Sequence, residues 1–151
     1  MHRTSTRITL LLSLFITACS VSTSVFQGGM EISDVHVVVP AAMAGMDMNT
    51  DPFVTLQIKN GSGADDRLIG VTTDFADAML HETIMNGDVA TMKTLKSIDV
   101  PAGTTSEFKH GGFHIMFMNM NKNLKAGNSV RMTLEFAKAG KITVSATVTN
   151  E

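Results

Sequence analysis

Short segments in which apolar and polar residues alternate recur along the chain from residue 31 onward, with turn residues between them. Alternation with a period of two is typical of a β-strand with one buried face. It is clearest over residues 130–136 and 142–148, on either side of the turn Lys138-Ala139-Gly140. Because no long segment has a helical period, we predict an all-β sandwich of many short strands.

The predicted strand with the most unusual side chains covers residues 111–120, and we place it at a buried edge of the sheet. Its odd-numbered residues, such as Ile115, would face an ordinary apolar core. Its even-numbered residues would share the other face, and that face carries one imidazole and three thioethers, those of His114, Met116, Met118 and Met120. Gly111 and Gly112 before them permit an unusual backbone at the start of the strand.

A predicted hairpin supplies further side chains of the same kind. Residues 79–85 and 89–93 alternate on either side of Asn86-Gly87-Asp88, which is a hairpin turn by its composition. The hairpin would bring Met92 near His81. We interpret Met79, Met85, Met118 and Met120 as packing residues or as a soft apolar wall.

Two imidazoles and two thioethers form a ligand set for copper. Thioether sulfur is soft and uncharged, so it favours Cu(I), while imidazole suits copper in either oxidation state. A blue-copper electron-transfer site would also need a thiolate, and Cys19 is the only cysteine and lies before the predicted sandwich. Taken alone, each His or Met is more often a packing or hydrogen-bonded residue than a ligand.

The spacing of these residues resembles the motif of the periplasmic copper chaperones of the PCuAC family. Ten residues separate His81 from Met92, twenty-one separate Met92 from His114, and Met116 follows two positions later. The resemblance covers about residues 53–148 and includes these further segments: Asp66-Arg67-Leu68, His81-Glu82-Thr83, Pro101-Ala102-Gly103, Gly111 to Met116, and Ala139-Gly140.

The resemblance implies a cupredoxin-like Greek-key β-sandwich that binds one Cu(I) through His81, Met92, His114 and Met116. It also implies delivery to an apo copper protein, such as cytochrome c oxidase subunit II or an assembly factor. The chain ends at Glu151 without the His- and Met-rich tail that some relatives use for Cu(II).

The chain contains 12 Met, many for 151 residues. Met43, Met46 and Met48 lie in a predicted loop, where there is less core to fill than in a strand, and they are not part of the family motif. We treat them as a possible accessory metal site or mobile lid. Core filling by adaptable side chains is the alternative.

The first 18 residues resemble an export signal, since Arg3 and Arg7 precede a short apolar stretch. Ile16-Thr17-Ala18-Cys19 resembles a bacterial lipobox, so we expect lipidation at Cys19; the alternative is simple cleavage a few residues later. Residues 19–29 are small and polar and predict a flexible tether before a copper-binding domain over residues 30–151. These features favour a periplasmic location, with anchoring in the outer membrane.

Charge and motifs exclude several classes of function. Without residues 1–18 the chain has 10 basic and 14 acidic residues, a net charge of −4, which argues against nucleic acid and anionic lipid as partners. There is no Gly-x-Ser-x-Gly elbow or triad spacing of a hydrolase. We therefore expect a monomeric, exported Cu(I) chaperone that is not an enzyme and touches the membrane only through its lipid. A copper-sequestering protein and a metal-free interaction module are the alternatives.

Overall fold

The computed structural model describes residues 24–40 and 51–150. Their regular structure consists of strands, in chain order β1 (Val25–Gln27), β2 (Met30–Val39), β3 (Phe53–Asn60), β4 (Asp66–Thr72), β5 (Asp77–Asn86), β6 (Val89–Leu95), β7 (Ile98–Val100), β8 (Thr105–Phe108), β9 (Phe113–Met118), β10 (Ser129–Phe136) and β11 (Gly140–Asn150). The all-β prediction is confirmed. Within the described ranges, no helix has the length and apolar character needed to cross a membrane.

The strands form one hydrogen-bonded sheet in the order β6-β5-β9-β3-β2-β11-β10-β4-β7, with β1 added beside β2 and β8 beside β3. The pairs are antiparallel except β11 with β2, which is parallel. A single apolar core draws buried residues from every strand except β1 and β6. The sheet therefore folds over one core, as the two layers of a β-sandwich do.

Alternation in the sequence matches burial most closely in the last two strands. In β11, Ile142, Val144, Ala146 and Val148 are buried and the residues between them are exposed. The register pairs Met132 with Val144 across β10 and β11. These two strands pair along eight positions and lie on the far side of β2 from β5 and β9.

A buried asparagine joins the ends of β3 and β7. The Nδ2 atom of Asn60 donates to the carbonyl oxygens of Ala64 and Val100, at 2.9 and 2.8 Å. Its Oδ1 atom accepts from the amide and the hydroxyl of Ser62, at 3.0 and 2.7 Å. Both polar atoms of the fully buried Asn60 side chain thus have hydrogen-bond partners. These bonds stabilise the closure of the sheet.

Two details of the predicted strands are wrong. β9 covers Phe113–Met118, shorter than the predicted 111–120. It begins later because Gly111 and Gly112 form the tight turn after β8, and it ends where Asn119 leaves the extended conformation with φ of 49°. β9 also lies inside the sheet, with β5 on one side and β3 on the other, rather than at an edge. The residue pattern of one strand cannot show how many neighbours it has.

The second half of the predicted tether is also wrong. Val25–Gln27 form β1, which pairs antiparallel with β2 through a two-residue turn at Gly28 and Gly29. Both glycines have positive φ, 60° and 80°, as such hairpin turns require. The paired glycines that suggested flexibility are therefore hairpin residues, and the folded domain begins before residue 30.

Several predictions concern residues outside the described ranges. These are the export signal, the lipidated Cys19, and the accessory ligands Met43, Met46 and Met48. They stay predictions.

Candidate metal centre

The two predicted histidine ligands lie side by side on β5 and β9. The antiparallel register places His81 directly opposite His114. Their ring centroids are 5.7 Å apart, with the ring planes at 71°. Both residues are buried, at 9% and 4% exposure, although strand alternation puts them on the face opposite the apolar core. The sheet therefore holds two imidazoles in fixed proximity.

His114 is fixed in one tautomer. Its Nδ1 atom lies 3.0 Å from the carbonyl oxygen of Gly112, and because a carbonyl can only accept, Nδ1 carries the proton. Nε2 of the neutral ring then keeps its lone pair, which is the form that binds a metal. Phe53 on β3 contacts the ring edge-on, at a centroid distance of 6.2 Å. The turn at Gly111, with φ of 82°, positions the carbonyl that makes this hydrogen bond.

His81 has one ring nitrogen paired and one free. Its Nε2 atom lies 3.1 Å from the hydroxyl of Thr94, which is opposite it on β6. Its Nδ1 atom is buried and has no hydrogen-bond partner among the described residues. An unpaired buried nitrogen is costly, and when Nε2 donates to Thr94 the lone pair lies on Nδ1. A metal ion is one ligand that would satisfy it.

Electrostatics keep His81 neutral. Burial, and then the nearby His114, lower the pKa of His81 below its ordinary value of 6.5. A neutral imidazole is required for coordination. The lowered pKa of His81 therefore favours the neutral form that a metal needs.

Met116 follows His114 by two residues, so its side chain emerges on the same face of β9. It is half-buried and stands opposite Phe53 on β3 and Met79 on β5. The structure thus brings together three of the four predicted ligands, His81, His114 and Met116, on adjacent positions of two strands.

Met92 is less closely placed. It lies on β6, opposite Thr83, so it is a diagonal neighbour of His81 and is two strands away from β9. Its side chain is 60% exposed. The predicted hairpin is confirmed and carries Met92 on the same face as His81, at the outer edge of the site.

The sequence analysis gave Met79 a packing role, and the structure places it beside the histidine pair. It precedes His81 by two residues on the same face, stands opposite Met116, and is 41% exposed. Core packing is wrong for Met79 and for Met85, which is 58% exposed, whereas the alternative, a soft apolar wall, stays a prediction. Alternation along β5 already placed Met79 on the same face as His81. Only the pairing of β5 with β9 shows that Met79 also stands beside His114 and Met116.

The other histidines in the described part of the chain are His36 and His110. His110 is exposed, and its ring lies 5.5 Å from that of Phe53, which in turn contacts His114. His36 lies on β2 opposite Thr55. Among residues 24–40 and 51–150, no group of three or more His, Cys, Asp or Glu side chains could hold a metal. Within the described part of the chain, a metal bound by His81 and His114 therefore needs donors of another type. The neighbouring methionine side chains are the candidates.

Residues 30–148 match the family described as "Putative lipoprotein LpqE-like". The chain belongs to this family. A curated relative, "Putative lipoprotein Lxx21020" of Leifsonia xyli subsp. xyli (strain CTCB07), is 35% identical over 82 residues, which are 53% of this chain and 49% of the relative. The chain therefore aligns with about half the length of that relative.

Solved structures show the fold of this LpqE-like protein. The copper-bound PCuAC domain from PmoF2 matches with a TM-score of 0.68 at 24% identity, covering 85% of this chain and 99% of that domain. The apo PCuAC domain from PmoF1 gives 0.69 at 21%, covering 85% and 100%. The solution structure of CuI-DR1885 from Deinococcus radiodurans gives 0.60 at 26%, covering 83% and 79%. The predicted resemblance to PCuAC domains and the cupredoxin-like fold are confirmed.

Proposed function

We propose that this LpqE-like protein is an exported copper chaperone that binds one Cu(I) through His81, Met92, His114 and Met116. The observation that carries the proposal is the register of β5 and β9, which sets the two imidazoles directly opposite each other with thioethers on the same face. The relatives with solved structures include one described as copper-bound and one as a CuI form, which supports the same cargo.

The donor set favours copper in its reduced state. Neutral imidazole and thioether ligands suit a soft monovalent ion better than Zn²⁺, Mg²⁺ or Ca²⁺. Nε2 of His114 and Nδ1 of His81 are the nitrogens left free by the hydrogen bonds to Gly112 and Thr94. When Nε2 of His81 donates to the Thr94 hydroxyl, each histidine supplies one lone pair and no net charge.

The placement of the donors suits a carrier rather than a permanent cofactor site. The two histidines are buried, whereas Met92 is largely exposed at the outer edge of the sheet. An incoming acceptor can replace the exposed thioether first and the buried imidazoles last. The chain's residues hold and release the ion, and no catalytic step is needed.

A competition titration tests this proposal. The chain without residues 1–18 and with Cys19→Ser, so that no thiolate competes, is titrated with Cu(I) against a colorimetric chelator without oxygen. We expect one tight equivalent, and a loss of about 100-fold or more in affinity in His114→Ala. Absence of competition by the unaltered site would refute copper binding and leave the metal-free interaction module.

A chaperone must also pass its copper to an acceptor. By resemblance, the acceptor is an apo copper enzyme, with subunit II of cytochrome c oxidase as the first to try. Loaded protein mixed with the apo acceptor should lose its copper to it, and His114→Ala should not load the acceptor. Retention of copper by the LpqE-like protein in the presence of acceptors would favour the copper-sequestering alternative.

Anchoring is proposed at Cys19, in agreement with the lipoprotein description of the family. Labelled fatty acid should enter the protein made in a bacterial host and should be absent from Cys19→Ser. Cleavage after residue 19 without lipid would refute the anchor and leave the copper site unaffected.

A further inference from the structure

The thioethers around the His81–His114 pair are not equally placed. Strands in a sheet lie about 4.8 Å apart and rise about 3.3 Å per residue. On this lattice the Cα atoms of Met116 and Met79 both lie about 7 Å from the midpoint between the two histidine Cα atoms, one on each strand. The Cα atom of Met92 lies about 10 Å from that point. Met92 is on the next strand, β6, and stands opposite Thr83, two residues after His81.

Met79 and Met116 are therefore equivalent with respect to the histidine pair. They stand directly opposite each other, as the histidines do, so the four residues form two adjacent cross-strand pairs on one face. Residues directly opposite across an antiparallel pair have Cβ atoms about 5 Å apart. Methionine is unbranched with three rotatable bonds, so its sulfur can turn either towards the pair or away from it.

Exposure separates the roles of the thioethers. Met79 is 41% exposed, between the half-buried Met116 and the 60% exposed Met92. A side chain that serves only the core is more buried than this. On the other face of β5, for example, the core residue Leu80 is 5% exposed. Met79 is close enough to reach a bound ion and free enough to move.

We propose that Met79 is a further copper ligand of this protein and exchanges with Met92. This inference rests on the proposed copper site and adds a residue that its motif does not contain. With Met79 bound, the ion is held by the inner group His81, His114, Met116 and Met79, and Met92 is free. In the exchange the bond from copper to the Met92 sulfur breaks as the bond to the Met79 sulfur forms. Both sulfurs are neutral thioethers, so no electron or proton is transferred.

The exchange gives Met92 a role in transfer. An acceptor that approaches the outer edge of β6 meets the exposed thioether first. Met79 keeps the ion coordinated while Met92 is displaced, so the ion is never left with the two imidazoles and one sulfur only.

The test compares single and double methionine variants in the chain without residues 1–18 and with Cys19→Ser. Cu(I) affinity is measured by chelator competition for Met92→Leu, Met79→Leu, the double variant and Met85→Leu. Met85 is the matched control, since it lies on the same face of β5, is exposed and stands opposite Ala90 at the far end of the hairpin. Thermal unfolding of the metal-free variants should be unchanged, because these side chains are exposed.

We expect Met92→Leu to keep one Cu(I) equivalent within about tenfold of the original affinity, and the double variant to lose at least about tenfold more. With methyl-¹³C methionine, the Met79 signal, assigned from Met79→Leu, should shift on Cu(I) addition in the Met92→Leu protein. Equal affinities of Met92→Leu and the double variant, with a Met79 signal that does not move, would overturn the inference alone. Loss of copper competition in the unsubstituted site would overturn the proposed function as well.

Discussion

At the scale of single residues, the site depends on two hydrogen bonds that select which nitrogen of each imidazole is free. Gly112 accepts from Nδ1 of His114, and Thr94 pairs with Nε2 of His81. Neither partner lies in the ligand motif, so they orient the ligands from outside it. Thr94→Val keeps the shape of the residue but removes the hydroxyl that pairs with Nε2 of His81.

We expect Thr94→Val to weaken Cu(I) binding by about tenfold, because the hydrogen bond that holds the ring orientation of His81 is lost. Chelator competition measures the loss. Thr91→Val on the same strand pairs with Ile84 and touches neither imidazole, so it is the control. Equal affinities for the two variants would contradict the orienting role of Thr94.

Asp66 is a second residue whose ionisation matters, far from the copper site. Burial by itself raises the pKa of this carboxyl, but amide groups of Ala139, Arg67 and Lys138 donate to it at 2.8, 2.7 and 2.9 Å and hold its pKa below the ordinary value of 3.8. The unfolded chain therefore binds the proton more tightly. The stability that Asp66 contributes is full above its unfolded pKa and is lost as pH falls through the lower folded pKa.

We expect the thermal unfolding midpoint of the metal-free protein to fall steeply below about pH 4, and less steeply in Asp66→Asn. At pH 7 that variant should be less stable by about 1–3 kcal/mol, since an amide accepts weaker hydrogen bonds than a carboxylate. Identical pH profiles for the two proteins would contradict the lowered pKa.

At the scale of elements, β9 carries the core on one face and the copper ligands on the other. Phe117 is fully buried and meets Phe75 edge-on at 5.1 Å, whereas the adjacent Met116 is half-buried on the opposite face. Stability and metal binding should therefore respond to different residues of the same strand.

We expect Phe117→Ala to cost about 3–5 kcal/mol of unfolding free energy, as large-to-small substitutions in a core do. Met116→Leu should cost less than about 1.5 kcal/mol, since the swap conserves volume, while lowering Cu(I) affinity. Denaturant unfolding and chelator competition measure the two effects. A stability loss in Met116→Leu as large as that in Phe117→Ala would show that Met116 serves the core.

The sequence predicts where the strands lie better than it predicts which strands pair. Alternation along residues such as Ile142 to Val148 depends only on which face is buried, and this one feature located the strands. The pairing of β5 with β9 joins residues that are distant in sequence, and so does the parallel pairing of β11 with β2. Local alternation carries no information about which distant strands pair. The four predicted ligands came from motif spacing, whereas Met79 became visible only when that pairing was known.

At the scale of the whole molecule, the two ends of the sheet differ in how much of each strand is buried. Asn60 closes the sheet between β3 and β7, and β10 and β11 pair along eight positions. β6, at the other end of the sheet, contributes no buried residue to the core and is exposed along most of its length, with only Leu95 packed against the core. The proposed ligand that leaves first, Met92, lies on this strand.

We expect Asn60→Leu to destabilise the protein by about 1–3 kcal/mol, because the carbonyl groups of Ala64 and Val100 and the amide of Ser62 lose their partner. Its Cu(I) affinity should stay unchanged, since Asn60 touches none of the ligands. Unfolding in denaturant and chelator competition on the same sample would separate these outcomes. A copper defect in the folded variant would contradict this division of the molecule.

The most direct test of the copper site is X-ray absorption at the copper edge of the protein loaded with one Cu(I). We expect sulfur scatterers together with the multiple scattering of imidazole, and the loss of one imidazole contribution in His81→Ala. A spectrum with sulfur alone, or with nitrogen and oxygen alone, would contradict a centre made of the paired histidines and their neighbouring methionines.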